Sequence, residues 1–220
     1  MHANLEPDPF ATQRHAMVTL QLRNRGLRDE RVLRAMEKVP RHLFVPPSLR
    51  SSAYDDNPVP IGAGQTVSQP YIVAYMLQEL GVTSDDRVLE IGSGTGYQAA
   101  LLGELAREVY TIERVPSLFA IAKENLSRLG YSNIEVFHCD GTRGLPDRAS
   151  FNRIIVAAAS PNVPASLYDQ LAEGGRMIIP IGRGDVQNLF LIRKQDGKPV
   201  TNQLEGCRFV PLVGEEGFRT

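Results

Sequence analysis

The chain has little of what marks a special environment. Its 220 residues hold two cysteines, Cys139 and Cys207, too few for a disulfide framework and without partners at metal-ligand spacing. Both sit in or beside strand-like runs, which reads as buried free thiols in a reducing cytoplasm. No apolar run approaches the ~20 residues that span a bilayer. The opening MHANLEPDPF lacks a basic n-region and an apolar h-region, so neither a secretory signal nor membrane contact is expected. Lys and Arg number 24 against 25 Asp and Glu, a net charge of −1, so no basic excess attracts nucleic acid. Aromatic residues form no stripe on which bases could stack. Internal repeats, low-complexity tracts and charge runs of one sign are absent. His42 and His138 lack spaced partners and read as core or surface histidines, and His15, in an expected helix, reads as solvated. A chain of this length buries a sizeable core and fits one α/β unit with an appended segment.

What is present is concentrated between Arg87 and Tyr97, in RVLEIGSGTGY. Val88, Leu89 and Ile91 are β-formers that suit a buried parallel strand. Gly92, Gly94 and Gly96 follow at every second position, a tight turn without Cβ atoms that a ligand can approach closely. A helix opens at Tyr97 and runs to Leu105, so the turn faces unpaired N–H groups. Such a strand–turn–helix unit holds nucleoside cofactors at the carboxyl ends of parallel strands. The dinucleotide fingerprint needs a third glycine at the sixth position, where this chain has Tyr97. An NAD-dependent oxidoreductase is the weaker reading on that ground. Glu113 ends the next strand, Glu108 to Ile112, where a carboxylate can accept both ribose hydroxyls.

From Arg87 onward, strands and helices alternate. Further strands are expected at Ile134–Phe137, Arg153–Ala158 and Met177–Ile181, with helices at Leu118–Leu129 and Pro164–Ala172, the latter ending at Gly174-Gly175. Two last strands, Leu189–Lys194 and Cys207–Val213, joined by the polar Gln195–Gly206, should add an antiparallel edge. The alternation predicts a mostly parallel sheet with helices on both faces. Before it, helices are expected at Ala11–Arg25, at Asp29–Lys38 and at Pro70–Leu80, with a proline-punctuated irregular connection through Gly64. Asp55-Asp56 reads as a turn or cap feature. The chain thus divides into an N-terminal helical and substrate-loop segment, residues 1–82, and a cofactor-binding core, residues 83–220, packed as one globular unit.

GxGxG with Glu90 two residues before it resembles the first motif of S-adenosylmethionine-dependent methyltransferases. The preceding segments narrow the likeness. VPRHLFVP (Val39–Pro46) and VPIGAGQTVSQPYIVA (Val59–Ala74) resemble stretches of protein-L-isoaspartate O-methyltransferases, as do EIGSGTGYQAA, VYTIE, RIIVAAA and FVPL. The likeness runs from about Met17 to Val213, and Gln65-Thr66-Val67-Ser68 is its most specific part. It departs at Ala63, often His in bacterial members, at Val67, often Ile, and at Val213, where some relatives have Thr.

The resemblance implies a Rossmann-like class I methyltransferase fold with a seven-stranded sheet and an N-terminal helical extension. It implies transfer of the methyl of S-adenosylmethionine to the free carboxylate of L-isoaspartyl residues in damaged proteins and peptides; a cytoplasmic monomer is expected. The alternatives are another such methyltransferase, acting on a small molecule or RNA, and a cofactor-binding protein without turnover. Ser68 matches the family's active-site serine. Cofactor contacts are expected at Thr66, Val67, Ser68, Glu90, Gly92, Gly94, Gly96, Glu113, Asp140, Gly141 and Thr142; no metal is expected. Ser68 has a second reading, because it falls two residues before Pro70, where a helix N-cap would stand. Gln65 and Thr66 either line the pocket or satisfy loop backbone groups. A carboxylate with a pKa near ~4 is already ionised at neutral pH, so this chemistry needs no general base. It needs proximity and an in-line approach.

Overall fold

The structure is a computed structural model and describes residues 8–219; the first seven residues, on which the expectation of no leader partly rests, lie outside them. The opening helical segment is less regular than expected. Helix α1 (Ala11–Ala16) passes into a π-helical turn at Met17–Leu22 and a 3-10 turn at Arg23–Arg25. Met17 and Leu22 are both fully buried, and their spacing of five suits a π turn rather than an α turn. Gly26, with φ of 96°, ends the segment. Helix α2 (Glu30–Lys38) starts on Asp29, whose carboxylate accepts the Arg31 N–H at 2.9 Å, and buries Val32, Leu33, Ala35 and Met36.

The proline-punctuated connection holds more structure than its sequence suggests. After two 3-10 turns, strands β1 (Val59–Gly62) and β2 (Gln65–Val67) pair as an antiparallel hairpin. Ala63 at its tip has φ of 51°, a left-handed conformation that costs a non-glycine residue ~1 kcal/mol. Helix α3 (Pro70–Leu80) has the expected bounds, with Pro70 in its first turn and Gly81 left-handed at its end.

The remaining strands are β3 (Arg87–Ile91), β4 (Glu108–Glu113), β5 (Ile134–His138), β6 (Phe151–Val156), β7 (Leu171–Ile181), β8 (Gln187–Gln195) and β9 (Lys198–Cys207). They form one seven-stranded sheet in the order β5-β4-β3-β6-β7-β8-β9. The first five are mutually parallel; β8 and β9 are antiparallel. Period-2 alternation sends successive side chains to opposite faces. Val88, Val109, Ile155 and Ile178 join the apolar cluster that holds α2, α3, α4 (Tyr97–Leu105) and α5 (Pro116–Arg128). Leu89, Tyr110, Ile154 and Met177 join a second cluster with Leu167 of α6 (Ala165–Asp169) and Leu212. Burial on both faces is why these strands are apolar throughout.

Two expected elements are corrected. The helix from Pro164 is only α6, and Ala172, Gly174 and Gly175 lie in β7. Gln170 donates its side-chain amide to Arg143 O and accepts from Leu145 N–H, which turns the chain out of the helix. Leu171 pairs with Phe151 and Arg176 with Arg153, so the residues between them form a bulge. The last strand is also displaced. The polar segment expected as a connector is β9, an exposed edge joined to β8 through Asp196-Gly197, both at positive φ. Asp-Gly is a hairpin turn signal, and an edge strand has no apolar face to advertise. The apolar run from Val210 leaves the sheet altogether, bound through single bridges such as Ala159–Pro211. Cys139 and Cys207 are free and half-buried.

Candidate active site

Strand order reverses at β3: β4 and β5 extend to one side, β6 and β7 to the other. Ligand crevices in open parallel sheets form at such a point, beyond the carboxyl ends of the strands. The cleft found there is lined by Ile91 of β3, Ile112 and Glu113 of β4, and Ala157 and Ala158 just after β6.

Its first wall is the glycine loop. Gly92, Gly94 and Gly96 have φ of 93°, 54° and 97°, a backbone path that disfavours side chains. Gly92 N–H and Ser93 N–H both donate to Ile112 O, at 2.9 and 3.1 Å. Gly94 N–H donates to Glu113 Oε2 and Val115 N–H to Glu113 Oε1, each at 2.8 Å. One carboxylate thereby fixes the loop and the next turn, and each of its oxygens keeps a lone pair. The loop is held from outside by Thr95, whose hydroxyl donates to Phe44 O at 2.6 Å, and by Asn125, whose amide donates to Thr95 O at 3.0 Å. Sequence reasoning missed both residues. Neither a mid-helix Asn nor a loop Thr carries a local signal for a contact this distant in sequence.

The second wall comes from three separate segments: Gln65–Ser68 from the hairpin, Gly141 after β5, and Val210–Val213. Ser68 does not cap α3. The N-cap is Gln69, which makes no side-chain cap bond, and Asp56 Oδ1 accepts the Tyr71 N–H at 3.1 Å. Asp56 is therefore the capping carboxylate, as expected for an acidic turn pair, and Ser68 borders the cleft. A Cβ on Gly141 would stand 2.6 Å from Ile91 Cγ2, so only glycine fits there.

Of the expected cofactor contacts, the cleft brings together Thr66, Val67, Ser68, Gly92, Gly94, Glu113 and Gly141. Glu90, Gly96, Asp140 and Thr142 are not among its lining residues. A Cβ on Gly96 would meet Leu126 at 3.2 Å, so that glycine allows α4 to approach α5. Glu90 is fully buried beneath the loop, where its carboxylate accepts the Thr111 hydroxyl at 2.5 Å. Burial pushes the Glu90 carboxyl up to about 8, opposed by the Thr111 hydrogen bond and the nearby Gln98 amide and with a smaller push from the Glu113 charge. It is mostly protonated at neutral pH. The Asp140 carboxylate is engaged by Thr142 and by Glu215 N–H. Burial raises the Asp140 carboxyl, but those donors more than offset it and hold it below the usual carboxylate range. Tyr97, at the position where a dinucleotide loop needs glycine, is buried with its hydroxyl on Met36 Sδ at 3.6 Å.

Among the described residues there is no cluster of His, Cys, Asp and Glu that could hold a metal, and no helix is long and apolar enough to cross a membrane. His42 is buried against Phe10 and Tyr54, and burial lowers its pKa. His15 is exposed beside Glu37.

Comparison with known proteins agrees over nearly the whole chain. The sequence profile of the family Protein-L-isoaspartate(D-aspartate) O-methyltransferase (PCMT) matches residues 12–217. A protein-L-isoaspartate O-methyltransferase of Methanoculleus marisnigri is 52% identical over 215 residues, 98% of each chain. One from Koribacter versatilis is 52% identical over 218 residues, 99% of this chain and 98% of the relative. A solved protein-L-isoaspartate O-methyltransferase superposes with a TM-score of 0.82 at 31% identity, covering 93% of this chain and 67% of the other. A Plasmodium falciparum structure carrying the family's name, solved with S-adenosyl-L-homocysteine, gives 0.80 at 28% identity, covering 91% and 98%.

Proposed function

We propose that this chain, which belongs to the protein-L-isoaspartate(D-aspartate) O-methyltransferase family, transfers a methyl group from S-adenosylmethionine to the free carboxylate of L-isoaspartyl residues in damaged proteins and peptides. The observation that carries the reading is the meeting of two family segments in one cleft: the glycine loop with Glu113, and the Gln65–Ser68 segment opposite.

The residues present fit the cofactor. A Cβ on Gly94 would stand 3.2 Å from Ile61 Cδ1, so the cradle is one that a side chain would fill. The spare lone pairs of Glu113 suit ribose hydroxyls, and Ile112, Val210 and Leu212 supply apolar surface for a base. We assign cofactor contact to Thr66, Val67, Ser68, Gly92, Gly94, Glu113 and Gly141. Glu90, Gly96, Asp140 and Thr142 act from behind the wall. When bound, S-adenosylmethionine supplies an electrophilic methyl on a positively charged sulfur.

The chain's own task is to orient an already ionised carboxylate and exclude water. Ser68 donates one neutral hydrogen bond to that carboxylate. An Arg or Lys clamp would hold the nucleophile too tightly, since its charge disappears as the transition state forms. The neighbouring amide nitrogen then attacks the ester carbonyl, losing its proton and expelling methanol, to close a succinimide, and hydrolysis of the ring returns some normal aspartate. We read residues 1–82 as the segment that brings Ser68 to a core formed by 83–220. The active unit is a single chain, because both walls come from one chain. The two free thiols support a cytoplasmic setting, with neither nucleic acid nor membrane as a partner.

With labelled cofactor, an isoaspartyl peptide becomes a base-labile methyl ester while its aspartyl twin stays nearly unlabelled. Equal labelling of the two would remove the substrate assignment.

A further inference from the structure

The 3-10 turn Arg41–Phe44 lies behind the cleft and is tied to both of its walls. On the glycine-loop side, Phe44 O accepts the Thr95 hydroxyl at 2.6 Å, and the Phe44 ring meets the Tyr97 ring edge-on, with centroids 5.6 Å apart. The Arg41 guanidinium carbon stands 4.8 Å from the centre of that same Tyr97 ring. Tyr97 opens α4 directly after Gly96, so Arg41 and Phe44 together grip the end of the loop. On the Ser68 side, Arg41 Nε donates to Ala53 O at 2.7 Å. From there the chain turns tightly, with Asp55 N–H on Ser52 O at 3.2 Å and Asn57 N–H on Asp55 O at 2.8 Å. The turn presents Asp56, whose Oδ1 accepts Tyr71 N–H at 3.1 Å. Gln69, the neighbour of Ser68, donates its side-chain amide to Asp56 O at 3.0 Å and to Asp56 Oδ2 at 2.7 Å.

Arg41, Phe44, Ala53, Thr95 and Tyr97 are all buried, and Arg41 has no exposed surface at all. Stability alone does not explain an arginine in such a place. Its Nη1 and Nη2 meet no acceptor in the protein, and a buried charge without a carboxylate partner is destabilising. A long apolar side chain would fill the same space without that charge. What the guanidinium adds is two contacts at once: Nε bonds a carbonyl while the charge rests over an aromatic ring, an attraction that strengthens away from water. Lysine has no Nε donor and carries its charge on a flexible stem.

We propose that Arg41 is a positioning residue for methyl transfer, the buried link that fixes the Ser68 segment relative to the glycine loop. Arg41 is not among the residues that line the cleft. It bears on Tyr97 at one end and reaches Ser68 at the other, through Ala53, Asp56 and Gln69. This rests on the methyltransferase reading above. In-line transfer needs the attacking oxygen held about 3 Å from the methyl carbon, and in that reading opposite walls present the two. The link sets their separation from behind, where neither ligand reaches.

The test uses Arg41→Met, Asp56→Ala and the double variant in the full chain. Arg41→Met lowers kcat for an isoaspartyl peptide about tenfold. Affinity for S-adenosylhomocysteine stays within about twofold by calorimetry, and the melting temperature is nearly unchanged. Arg41→Lys shows the same loss of kcat. In kcat/KM the double variant is no worse than the more severe single one, because both changes act through one link. Losses that multiply, a parental kcat in Arg41→Lys, or a fall in melting temperature with parental kcat in Arg41→Met would overturn the proposal. Hydrogen exchange supplies a readout that needs no turnover. Residues 53–57 do not line the cleft, yet saturating S-adenosylhomocysteine slows their amide exchange in the parent and not in Arg41→Met. Equal protection in both proteins, or none in the parent, means that Arg41 does not join the walls. A parent that methylates neither the isoaspartyl peptide nor its aspartyl twin removes the reaction assigned above, while the exchange comparison still decides the link.

Discussion

The two walls of the cleft are built by opposite strategies. The glycine loop wall comes from one unbroken stretch, Gly92 to Gly96, whose shape follows from its own backbone angles. The facing wall is assembled from residues 65–68, Gly141 and 210–213, and nothing local fixes their separation. Long-range hydrogen bonds tie its segments down: Tyr71 N–H at the start of α3 to Asp56 on one side, Glu215 N–H to Asp140 on the other. A wall written in dihedral angles fails when a side chain is added. A wall written in hydrogen bonds fails when an acceptor is removed.

Gly94→Val breaks the first wall outright. A β-branched residue at φ of 54° with Ile61 already at 3.2 Å is strained in both backbone and packing. Cofactor affinity falls by about a hundredfold, ~3 kcal/mol, by calorimetry; retained affinity would show that the cofactor is held elsewhere. Ser68→Ala tests the facing wall by chemistry rather than shape. Turnover of the isoaspartyl peptide drops by about ten- to a hundredfold; cofactor affinity is largely retained, because the variant keeps the residue-68 backbone at the cleft, and melting temperature is nearly unchanged, because Asp56 and not Ser68 caps α3. An unchanged rate with lowered stability would return Ser68 to a structural role.

Glu90→Gln sharpens the comparison by probing the charge beneath the first wall. The folded carboxyl titrates at about 8, against 4.5 for an ordinary glutamate, so the folded state binds the proton more tightly. Stability from this group is full below the unfolded value and is lost as pH rises toward the folded one, at most about 1.4 kcal/mol per pH unit. Denaturant titrations between pH 5 and 8 should show a shallower fall in the Gln variant; identical slopes would mean that Glu90 is ionised in the fold. Asp56→Ala is the mildest break. Loss of a helix cap costs about 1 kcal/mol, read as a lower urea midpoint, together with a raised KM for peptide as the Ser68 segment loosens. A midpoint unchanged from the parent would remove Asp56 from the facing wall.

How much was legible follows the same division. Helices α3 and α4 and strand β3 lie within a residue of their expected bounds, because Pro70, Gly81 and the glycine loop mark their ends locally. The final strands were misplaced because apolar content was taken as the strand signal, whereas β9 is a polar edge and FVPL leaves the sheet to cover the cleft. Of the expected contacts, Glu113 and Gly141 line the cleft, while Asp140 between strand and turn is engaged elsewhere; sequence adjacency does not distinguish the two. Arg41 was passed over entirely. It is fully buried, with Nε donating to Ala53 O at 2.7 Å and its guanidinium 4.8 Å above the Tyr97 ring, a contact between segments 56 residues apart.

The sequence by itself determined the alternation of elements, the glycine turn and the family, since each rests on short-range rules of periodicity, backbone freedom and motif. Only the tertiary structure decided which carboxylates face the cleft, which lie buried or accept from distant backbone amides, and where the last apolar run goes. Those outcomes depend on side chains far apart in the chain competing for a few buried donors and acceptors. That competition is settled only once the sheet has brought them together.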